Sequence, residues 1–345
     1  MRDLVVVGGG PVGLATSLYA ARAGLDVLVL EPREGAVDKA CGEGLMPGAV
    51  ADLQALGVTL DGHPFRGIRY LDRRRSVTAD FSAGPGLGVR RTTLHEALRH
   101  AVAEAGVCVR PLKVAALQQD AEGVDVEGLR SRYLVAADGL HSKVRRTLGL
   151  DARSRGPARY GLRCHLRATP WSDYVDVHWG EGVEAYVTPV ATDLVGVALL
   201  TRRRGSFEQH LAAVPALQQR LRGADLTPVM GAGPLRQRSR RRVSGRVLLV
   251  GDASGYVDAL TGEGIALGLQ HAAAAVAAVR SDRLRDYERA WRRLTYPHAA
   301  MTHALLALTR PAPLRRALVP AAVALPSVFG AAVNALAAGP RRVPE

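Results

Sequence analysis

Three glycines near the N-terminus have the spacing needed to hold a phosphate. Gly8, Gly10 and Gly13 form the pattern G-x-G-x-x-G directly after an apolar run at residues 4–7. In this pattern the first glycine permits a tight turn, the second lets the backbone approach a pyrophosphate, and the third lets a helix pack closely on a strand. Glu31 ends the next apolar run, where a carboxylate can accept a hydrogen bond from a ribose hydroxyl. The segment therefore predicts a dinucleotide site.

Two further turns place an acid beside glycine after an apolar run. Asp138 and Gly139 end the predicted strand 133–139, and Asp138 could equally cap a strand-to-helix turn. Gly251 and Asp252 follow the run RVLLV, where a carboxylate at a strand end can bind a polyol chain. Each turn alone is weak evidence for a ligand site, and the agreement among the turns favours one shared ligand.

The segment TGEGI places two glycines at the start of a predicted alanine-rich helix, residues 264–279. Gly262 and Gly264 let the helix begin close to a ligand, and the free N–H groups of its first turn point at it. The positive end of the helix dipole would favour the electron-rich edge of a planar group. If that edge is the N1/C2 carbonyl side of a flavin, the helix stabilises an anionic reduced flavin.

The elements that must position these residues follow from the hydrophobic periodicity. The pattern predicts strands at residues 4–7, Val27–Leu30 and 133–139, strands with a turn at 65–81, a β-rich segment at 159–201, and helices at 12–23, 92–106 and 264–279. We expect an α/β fold with a Rossmann-like dinucleotide-binding domain, an interleaved β-sheet substrate domain and C-terminal helices. The predicted dinucleotide-binding domain comprises residues 1–60, 90–155 and 243–295, the substrate domain 61–89 and 156–242, and a helical cap 296–345.

The three turns together resemble the FAD-dependent oxidoreductases with the p-hydroxybenzoate hydroxylase fold, a superfamily that includes aromatic hydroxylases, flavin-dependent halogenases and geranylgeranyl reductases. The resemblance implies that the Rossmann-like domain is an FAD-binding domain. The segment RRTTLHEAL is similar to the family motif R-x-x-L-x-x-x-L, which implies that Arg91 lies near FAD rather than in solvent at a helix start. The residues that the resemblance and the motifs assign to the cofactor are Gly8, Gly10, Pro11, Val12, Gly13, Glu31, Pro32, Arg33, Lys39, Cys41, Gly42, Gly44, Arg91, Asp138, Gly139, Gly251, Asp252, Gly262, Glu263, Gly264 and Ile265.

The segment KACGEGL resembles the K-x-C-G-x-G loop of geranylgeranyl reductases, which crosses near the isoalloxazine ring. Its glycines let the backbone lie against a flat ring without a Cβ clash. Two interpretations of Cys41 stay open, a thiol beside the flavin or substrate and a small apolar filler. By the same analogy Tyr186 and Pro189 face the substrate, although Tyr186 could also be an ordinary half-buried strand tyrosine. The aromatic run that those reductases carry before their central proline is missing.

Two enzymatic hypotheses follow, with a third that is not catalytic. The favoured one is an NAD(P)H-dependent monooxygenase that hydroxylates a small hydrophobic aromatic or polyketide-like substrate, with a C4a-hydroperoxyflavin kept alive in a dry pocket. The alternative is reduction of C=C bonds in a prenyl or other apolar substrate. The third is a flavin-binding redox protein without catalysis. Because the sequence lacks a second G-x-G-x-x-G, we expect NAD(P)H to bind transiently or a protein to donate the electrons.

The composition limits the other classes of function. The net charge is +14, and all but three of the 46 basic residues are arginine. Aromatic residues make up only 5%, too few for a base-stacking surface, so we expect no nucleic acid. The three scattered cysteines predict neither a disulfide framework nor a metal site. We expect a cytoplasmic monomer or homodimer without a transmembrane segment, whose substrate could be carrier-bound and whose apolar tail could cover the substrate cavity or touch a membrane.

Overall fold

The structure is a computed structural model that describes residues 1–154 and 156–339. The described strands are β1 Arg2–Val7, β2 Val27–Leu30, β3 Gly44–Leu45, β4 His63–Phe65, β5 Gly67–Leu71, β6 Ser76–Asp80, β7 Gly86–Gly88, β8 Cys108–Arg110, β9 Leu117–Gln119, β10 Val124–Val126, β11 Leu129–Ala136, β12 Asp151–Ala152, β13 Tyr160–Arg167, β14 Tyr174–Trp179, β15 Val183–Ala191, β16 Leu194–Thr201, β17 Met230–Ala232, β18 Arg238–Ser239, β19 Val243–Ser244 and β20 Val247–Leu249.

The described helices are α1 Pro11–Arg22, α2 Pro47–Ala55, α3 Arg91–Glu104, α4 Lys143–Thr147, α5 Phe207–Leu211, α6 Pro215–Arg220, α7 Gly264–Arg280, α8 Leu284–Leu308, α9 Ala312–Ala324 and α10 Pro326–Ala337. A single 3₁₀ turn spans Gly251–Ser254. No single helix in the described ranges is long and apolar enough to cross a membrane, although α9 and α10 together pass that test as a pair bent by 103°.

The first sheet carries the dinucleotide turn. Its order is β19-β20-β11-β1-β2-β8, with parallel pairing from β20 through β8, and the hairpin β9-β10 pairs with the start of β11. Alternate residues of β1 and β2 face opposite cores, so residues 4–7 of β1 and all four residues of β2 are apolar. Leu4 and Val6 pack under α1, α3 and α7, whereas Val5 and Val7 pack on the side of α4. The predicted Rossmann-like α/β fold is confirmed.

The second sheet has the order β17-β13-β16-β15-β14-β5-β6 and is antiparallel except where β14 pairs with β5. One face of β13, β15 and β16 packs against α5 and α6, with Phe207 and Leu217 in that core. The other face turns towards the loops of the first sheet. A three-stranded sheet, β3-β7-β4, joins the two regions. The chain thus crosses between the sheets several times.

The C-terminal region differs from the prediction in one respect. The expected boundary at residue 296 falls inside α8, which continues through Pro297. Proline usually breaks a helix, so the sequence predicted a boundary here, but a helix that is packed against its neighbours can accommodate a proline. Arg155 and residues 340–345, which belong to the predicted domains, lie outside the described residues.

Candidate functional site

The glycine turn after β1 is packed backbone against backbone. Gly8 has φ of +104°, and a Cβ there would lie 2.5 Å from the carbonyl oxygen of Ala137. A Cβ at Gly13 would lie 1.8 Å from the carbonyl oxygen of Gly8. At Gly10, by contrast, the nearest atom to an added Cβ is Nη2 of Arg91 at 4.0 Å. Two glycines therefore fix the turn, and the middle one leaves its outer side open.

Helix α1 begins at the turn with an uncapped N-terminus. Pro11 occupies its first turn, and no side chain caps the helix at Gly10. These free N–H groups are a natural site for a phosphate. The side chain of Val12 packs towards Gly251 and Gly268, so only its backbone can face a ligand.

Glu31 already has several partners at the end of β2. Its Oε2 accepts from the backbone N of Gly9 at 2.8 Å and from Nη2 of Arg33 at 3.0 Å, and Oε1 accepts from Nε of Arg33 at 2.8 Å. Burial raises the pKa of the carboxyl, but the hydrogen bonds from Arg33 and Gly9 outweigh it, so the pKa lies below its usual value. Pro32 between them is exposed. A ribose hydroxyl would share this carboxylate with Arg33.

A cluster of charges lies beside the turn. Arg91, the first residue of α3, is buried enough that desolvation lowers its pKa, and Nη1 has no partner among the described residues. Desolvation also lowers the pKa of Lys39, and Arg91 lowers it further. Burial raises the pKa of Asp252, while Lys39, Arg91 and Arg145 oppose that rise. Nζ of Lys39 lies 3.5 Å from the Cβ position of Gly139. Because the Arg91 side chain is desolvated, the alternative interpretation, an arginine in solvent at a helix start, is wrong.

Asp138 caps a helix, as one of its two interpretations predicted. Its Oδ2 accepts from the backbone N of Lys143 at 2.8 Å and of Val144 at 3.1 Å, in the first turn of α4. Its Oδ1 is buried and has no partner among the described residues. One oxygen thus orders the turn, and the other stays available to a ligand.

Arg145 ties the second acidic turn to the third. Its side chain is 1% exposed, and Nη1 donates to the carbonyl oxygen of Ala253 at 2.9 Å. Nη2 donates to the carbonyl oxygen of Leu140 at 3.1 Å, and Nε pairs with Asp151 at 2.5 Å. The 3₁₀ turn that carries Asp252 is thereby fixed against the loop that carries Asp138.

The third turn leads into α7 with its backbone rather than its side chains towards the site. Gly262 has φ of +70°, and Gly264 begins the helix, which has no side-chain cap at Glu263. The carboxylate of Glu263 is buried and lies 2.5 Å from Nδ1 of His298 on α8. The assignment of Glu263 to the cofactor stays a prediction, and the half-buried Ile265 packs against the core of the first sheet.

The loop Lys39–Gly44 is held by a buried glutamate that the sequence did not reveal. Glu43 is 3% exposed and has φ of +58°. Its Oε1 accepts from the backbone N of Arg91 at 2.9 Å, and its Oε2 lies 2.6 Å from Nε2 of His165 on β13. Thr188 on β15 donates to the carbonyl oxygen of Gly42 at 2.9 Å. The loop is thus fastened to both α3 and the second sheet.

Arg163, also on β13 and also missed, extends this network. Its Nη2 donates to the carbonyl oxygen of Lys39 at 3.0 Å and pairs with Asp38. Its Nη1 lies 3.3 Å from Nδ1 of His165. Because a guanidinium can only donate, Nδ1 of His165 accepts and Nε2 carries the proton that Glu43 accepts. No local motif marks these residues, since 122 positions separate Glu43 from His165.

Cys41 sits at the centre of the loop as a protonated thiol. The backbone N of Glu43 donates to its Sγ at 3.5 Å. Burial raises the pKa of the thiol, and the nearby Arg91 only partly opposes that rise. No group of three or more metal-ligating side chains occurs in the described ranges. Both earlier interpretations, a thiol beside the ligand and a filler, fit a half-buried Cys41.

Tyr186 and Pro189 point to opposite faces of β15. Tyr186 donates from its hydroxyl to the carbonyl oxygen of Leu260, beside the third turn, at 2.9 Å. Pro189, three residues on, lines a small cavity with Val187 and Trp171 on the other face. The structure therefore does not bring Pro189 to the site, because side chains alternate along a strand.

An aromatic cluster lies under the C-terminal helices beside Tyr186. The ring of Tyr70 is 5.4 Å from that of Trp179 and 4.7 Å from that of Phe329 on α10. Nε1 of Trp179 is buried without a partner among the described residues. Burial raises the pKa of Tyr256 well above its usual value, with Asp252 adding to the effect. This apolar cluster, which contains the indole N–H of Trp179 and the hydroxyl of Tyr256, was missed because its members come from separate segments of the chain.

The arrangement fits FAD. Arg91 Nη1 and Asp138 Oδ1 are buried polar atoms that lack partners in the described part of the chain. A side chain added at Gly10 or at Gly42 would enter open space. An uncapped helix N-terminus, a buried cation and a glycine-lined loop suit a pyrophosphate and a flat ring. The assignment of individual residues to FAD stays a prediction.

Comparison with known proteins agrees with this fit. A family model described as "FAD binding domain" matches residues 1–304. A menaquinone reductase of Mycolicibacterium smegmatis is 32% identical over 336 residues, covering 86% of this chain and 81% of the relative. A digeranylgeranylglycerophospholipid reductase of Methanopyrus kandleri is 30% identical and covers 76% of this chain and 73% of its own. The solved structure of the anhydrotetracycline hydroxylase OxyS from Streptomyces rimosus is similar with a TM-score of 0.77 at 25% identity, covering 99% of this chain and 77% of that one.

Proposed function

We propose that this chain, which belongs to the FAD-binding-domain family and is an FAD-dependent oxidoreductase, reduces C=C bonds of a prenyl or similarly apolar substrate. The observation that carries the proposal is the loop Lys39–Gly44, anchored by the buried Glu43, whose K-x-C-G-x-G pattern resembles that of the reductases. Its position is fixed by Glu43, His165 and Thr188, so it is a built feature rather than a loose surface loop.

The relatives support the same choice. Two proteins named as reductases are at least 30% identical to this chain over three quarters of its length or more. The hydroxylase OxyS is less similar, at 25% identity. We therefore reverse the order of the two enzymatic hypotheses that the sequence favoured. The missing aromatic run before Pro189 is offset by aromatic side chains that arrive from β5, β14 and α10.

The side chains would hold the reactants and supply a proton. FAD held at the three turns would, once reduced, supply a hydride for one carbon of the double bond. The other carbon needs a proton, and both Cys41 and Tyr256 carry one at neutral pH, since burial raises pKa values that ordinarily already lie above neutrality. Nε1 of Trp179 can donate a hydrogen bond to an oxygen of the substrate. The surrounding apolar side chains would exclude water from the reduced cofactor.

NAD(P)H remains the proposed transient reductant, with a protein donor as the alternative. The basic segment 235–246 could attract an anionic reductant, although a solvated hairpin is the favoured explanation of its charges. Stopped-flow reduction with NADH, NADPH and a reduced ferredoxin would distinguish the donors.

The monooxygenase stays as the second candidate because the OxyS structure covers 99% of this chain. The experiment uses FAD-loaded protein, photoreduced in the absence of oxygen and mixed with a prenylated naphthoquinone. We expect the product to gain two hydrogens in its side chain, as measured by mass spectrometry. A parallel reaction under oxygen-18 gas serves as the control. Incorporation of oxygen-18 into the product, or no change in any prenylated substrate offered, would contradict the proposed reductase.

A further inference from the structure

Exposed apolar side chains concentrate at one end of the molecule. Eight large apolar residues are strongly exposed in the described part of the chain, and six of them lie between residues 296 and 328. They are Tyr296, Leu308, Leu314, Val323, Leu325 and Val328. Scattered exposed apolar residues need no explanation, but a contiguous set of them indicates a binding surface.

The helices α9 and α10 bury very little of their apolar surface. In α9 only Val319 is buried, although the helix is made of alanine, leucine, valine and proline apart from two arginines. In α10 the buried residues Phe329, Val333 and Ala337 form a single stripe, spaced four apart. Helices that are apolar on every face are normally buried on every face. The outer faces of this pair therefore lack the partner that their composition requires.

The bend between the two helices is the most exposed part of this surface. Leu325 lies between α9 and α10, and the pair of helices is bent by 103°. All six residues from 323 to 328 are exposed, and none carries a charge. Leu325 and Val328 are 56% and 60% exposed. Asn334 holds α10 to the protein by accepting from Ser82 and donating to the carbonyl oxygen of Asp80. The bend thus projects from a fixed base.

The charges around the bend have one sign. Between Glu288 and Glu345 the sequence contains no acidic residue and eight arginines. Arg310 and Arg316, which are exposed, precede the bend, as does the partly exposed Arg315. An apolar apex on a segment of the chain that carries arginines and no acidic residue complements an anionic lipid surface.

The opposite side of the same helices covers the candidate site. Phe329 packs on Tyr70, and Leu305 and Leu306 of α8 belong to the cluster that contains Tyr186 and Tyr256. An apolar substrate that leaves a bilayer at the bend would therefore meet the aromatic cluster after crossing one layer of helix.

We infer that the bend between α9 and α10, residues 323–328, inserts into the interface of an anionic bilayer and that the enzyme takes its apolar substrate there. Membrane binding does not depend on the proposed reductase activity, since it needs only the outer faces of the helices. A second copy of the chain or an acidic protein on this surface would be the competing occupant.

The test is flotation of the full-length, FAD-loaded protein with lipid vesicles. We expect it to float with vesicles that contain about a third phosphatidylglycerol and much less with phosphatidylcholine alone. The double variant Leu325→Glu/Val328→Glu should lose at least about tenfold in vesicle affinity. Arg315→Gln/Arg316→Gln should lose about fivefold per arginine on anionic vesicles only. The matched control is Val229→Glu, because Val229 is 42% exposed and lies outside this surface.

A second measurement does not depend on the folding of the glutamate variant. Ser327→Cys and Val229→Cys, each in a Cys108→Ser background, carry a polarity-sensitive dye. The dye at residue 327 should shift to the blue on anionic vesicles, and the dye at 229 should not. Failure of the wild type to float, or equal dye shifts at both positions, would overturn the inference. So would a dimer, seen by light scattering, that the Leu325→Glu/Val328→Glu variant disrupts while the wild type ignores vesicles.

Discussion

The turn Gly8–Gly13 is held by backbone packed on backbone, whereas the loop Lys39–Gly44 opposite it is held by buried charges from a second sheet. In the first region the closest constraints are 1.8 and 2.5 Å from would-be Cβ atoms to carbonyl oxygens. In the second, Glu43 joins α3 to His165 on β13. The first region tolerates no added atom at Gly8 or Gly13, and the second tolerates no lost partner at Glu43.

This difference explains how the two regions can serve one ligand. A phosphate needs a row of N–H groups in fixed positions, and close packing of backbone on backbone holds these groups still. A flat ring that must also leave room for substrate needs a loop with an open outer side, and Gly42 provides that opening. The inner side of the same loop must be anchored to the rest of the protein. Buried charges supply that anchor because each would be costly to leave unpaired.

The largest effect is expected from crowding the turn. Gly13→Ala would place a Cβ 1.8 Å from the carbonyl oxygen of Gly8, and neither backbone can move without shifting β1 or α1. We expect a loss of about 4 kcal/mol in the free energy of unfolding, together with loss of FAD. Urea denaturation measures the first and flavin absorbance the second.

Gly42→Ala is the matched control for this prediction. Gly42 does not have a left-handed φ, and an added Cβ would meet nothing within 4 Å. The stability of its FAD-free form should therefore equal that of the wild type, while its FAD affinity falls. Equal stability of Gly13→Ala and the wild type would break the comparison between the two regions.

The next largest effect is expected from removing a buried partner. Glu43→Ala leaves the backbone N of Arg91 and Nε2 of His165 unpaired in the interior. We expect a loss of about 3 kcal/mol in the free energy of unfolding. Glu34→Ala, an exposed acid in the preceding loop, should change it by less than about 0.5 kcal/mol. Similar losses from both variants would show that Glu43 is not a special support.

The same difference decided what the sequence could predict. The unit β1-α1-β2 was predicted to within two residues at each end, because glycine spacing and apolar periodicity are local signals. Helices α3 and α7 followed from their periodicity for the same reason. The strand predicted at 133–139 is observed as Leu129–Ala136. It begins earlier than predicted because its first residues pair with β10, which the sequence did not indicate.

The supports of the loop could not be predicted. Glu43, Arg163 and His165 look like ordinary polar residues in a loop and a strand, and only the tertiary fold brings them together. The alternation of side chains along a strand could have shown that Tyr186 and Pro189 do not share a face. The β-bulge lies between Pro189 and Ala191, beyond both residues, so it does not alter their alternation.

A smaller effect is expected at the junction of the two regions. Arg91→Met removes a buried cation whose Nη1 has no partner in the described part of the chain. We expect FAD affinity to fall about tenfold, or 1.4 kcal/mol, in a fluorescence titration. The FAD-free variant should be no less stable than the wild type, because the lost charge was desolvated without full compensation. Arg99→Met, an exposed site on the same helix, should bind FAD normally; an equal loss there would contradict the assignment.

The smallest effect concerns thiol reactivity. Only the thiolate is alkylated, and burial raises the pKa of Cys41, so its reaction with iodoacetamide near pH 8 should be at least about tenfold slower than that of the exposed Cys108. Its rate should keep rising as pH increases beyond 9, because the thiolate forms only above the raised pKa. Mass spectrometry of tryptic peptides measures both sites. Labelling of Cys41 as fast as Cys108 would contradict a protonated, protected thiol.

The position of FAD in a crystal of the FAD-loaded protein tests the shared site most directly. We expect the pyrophosphate at the N-terminus of α1, within hydrogen-bond distance of Gly10 or the neighbouring N–H groups. We expect the isoalloxazine ring against Cys41 and Gly42, with Tyr256 on the same side. A ring that lies away from the loop Lys39–Gly44, or FAD bound outside the three turns, would contradict the arrangement.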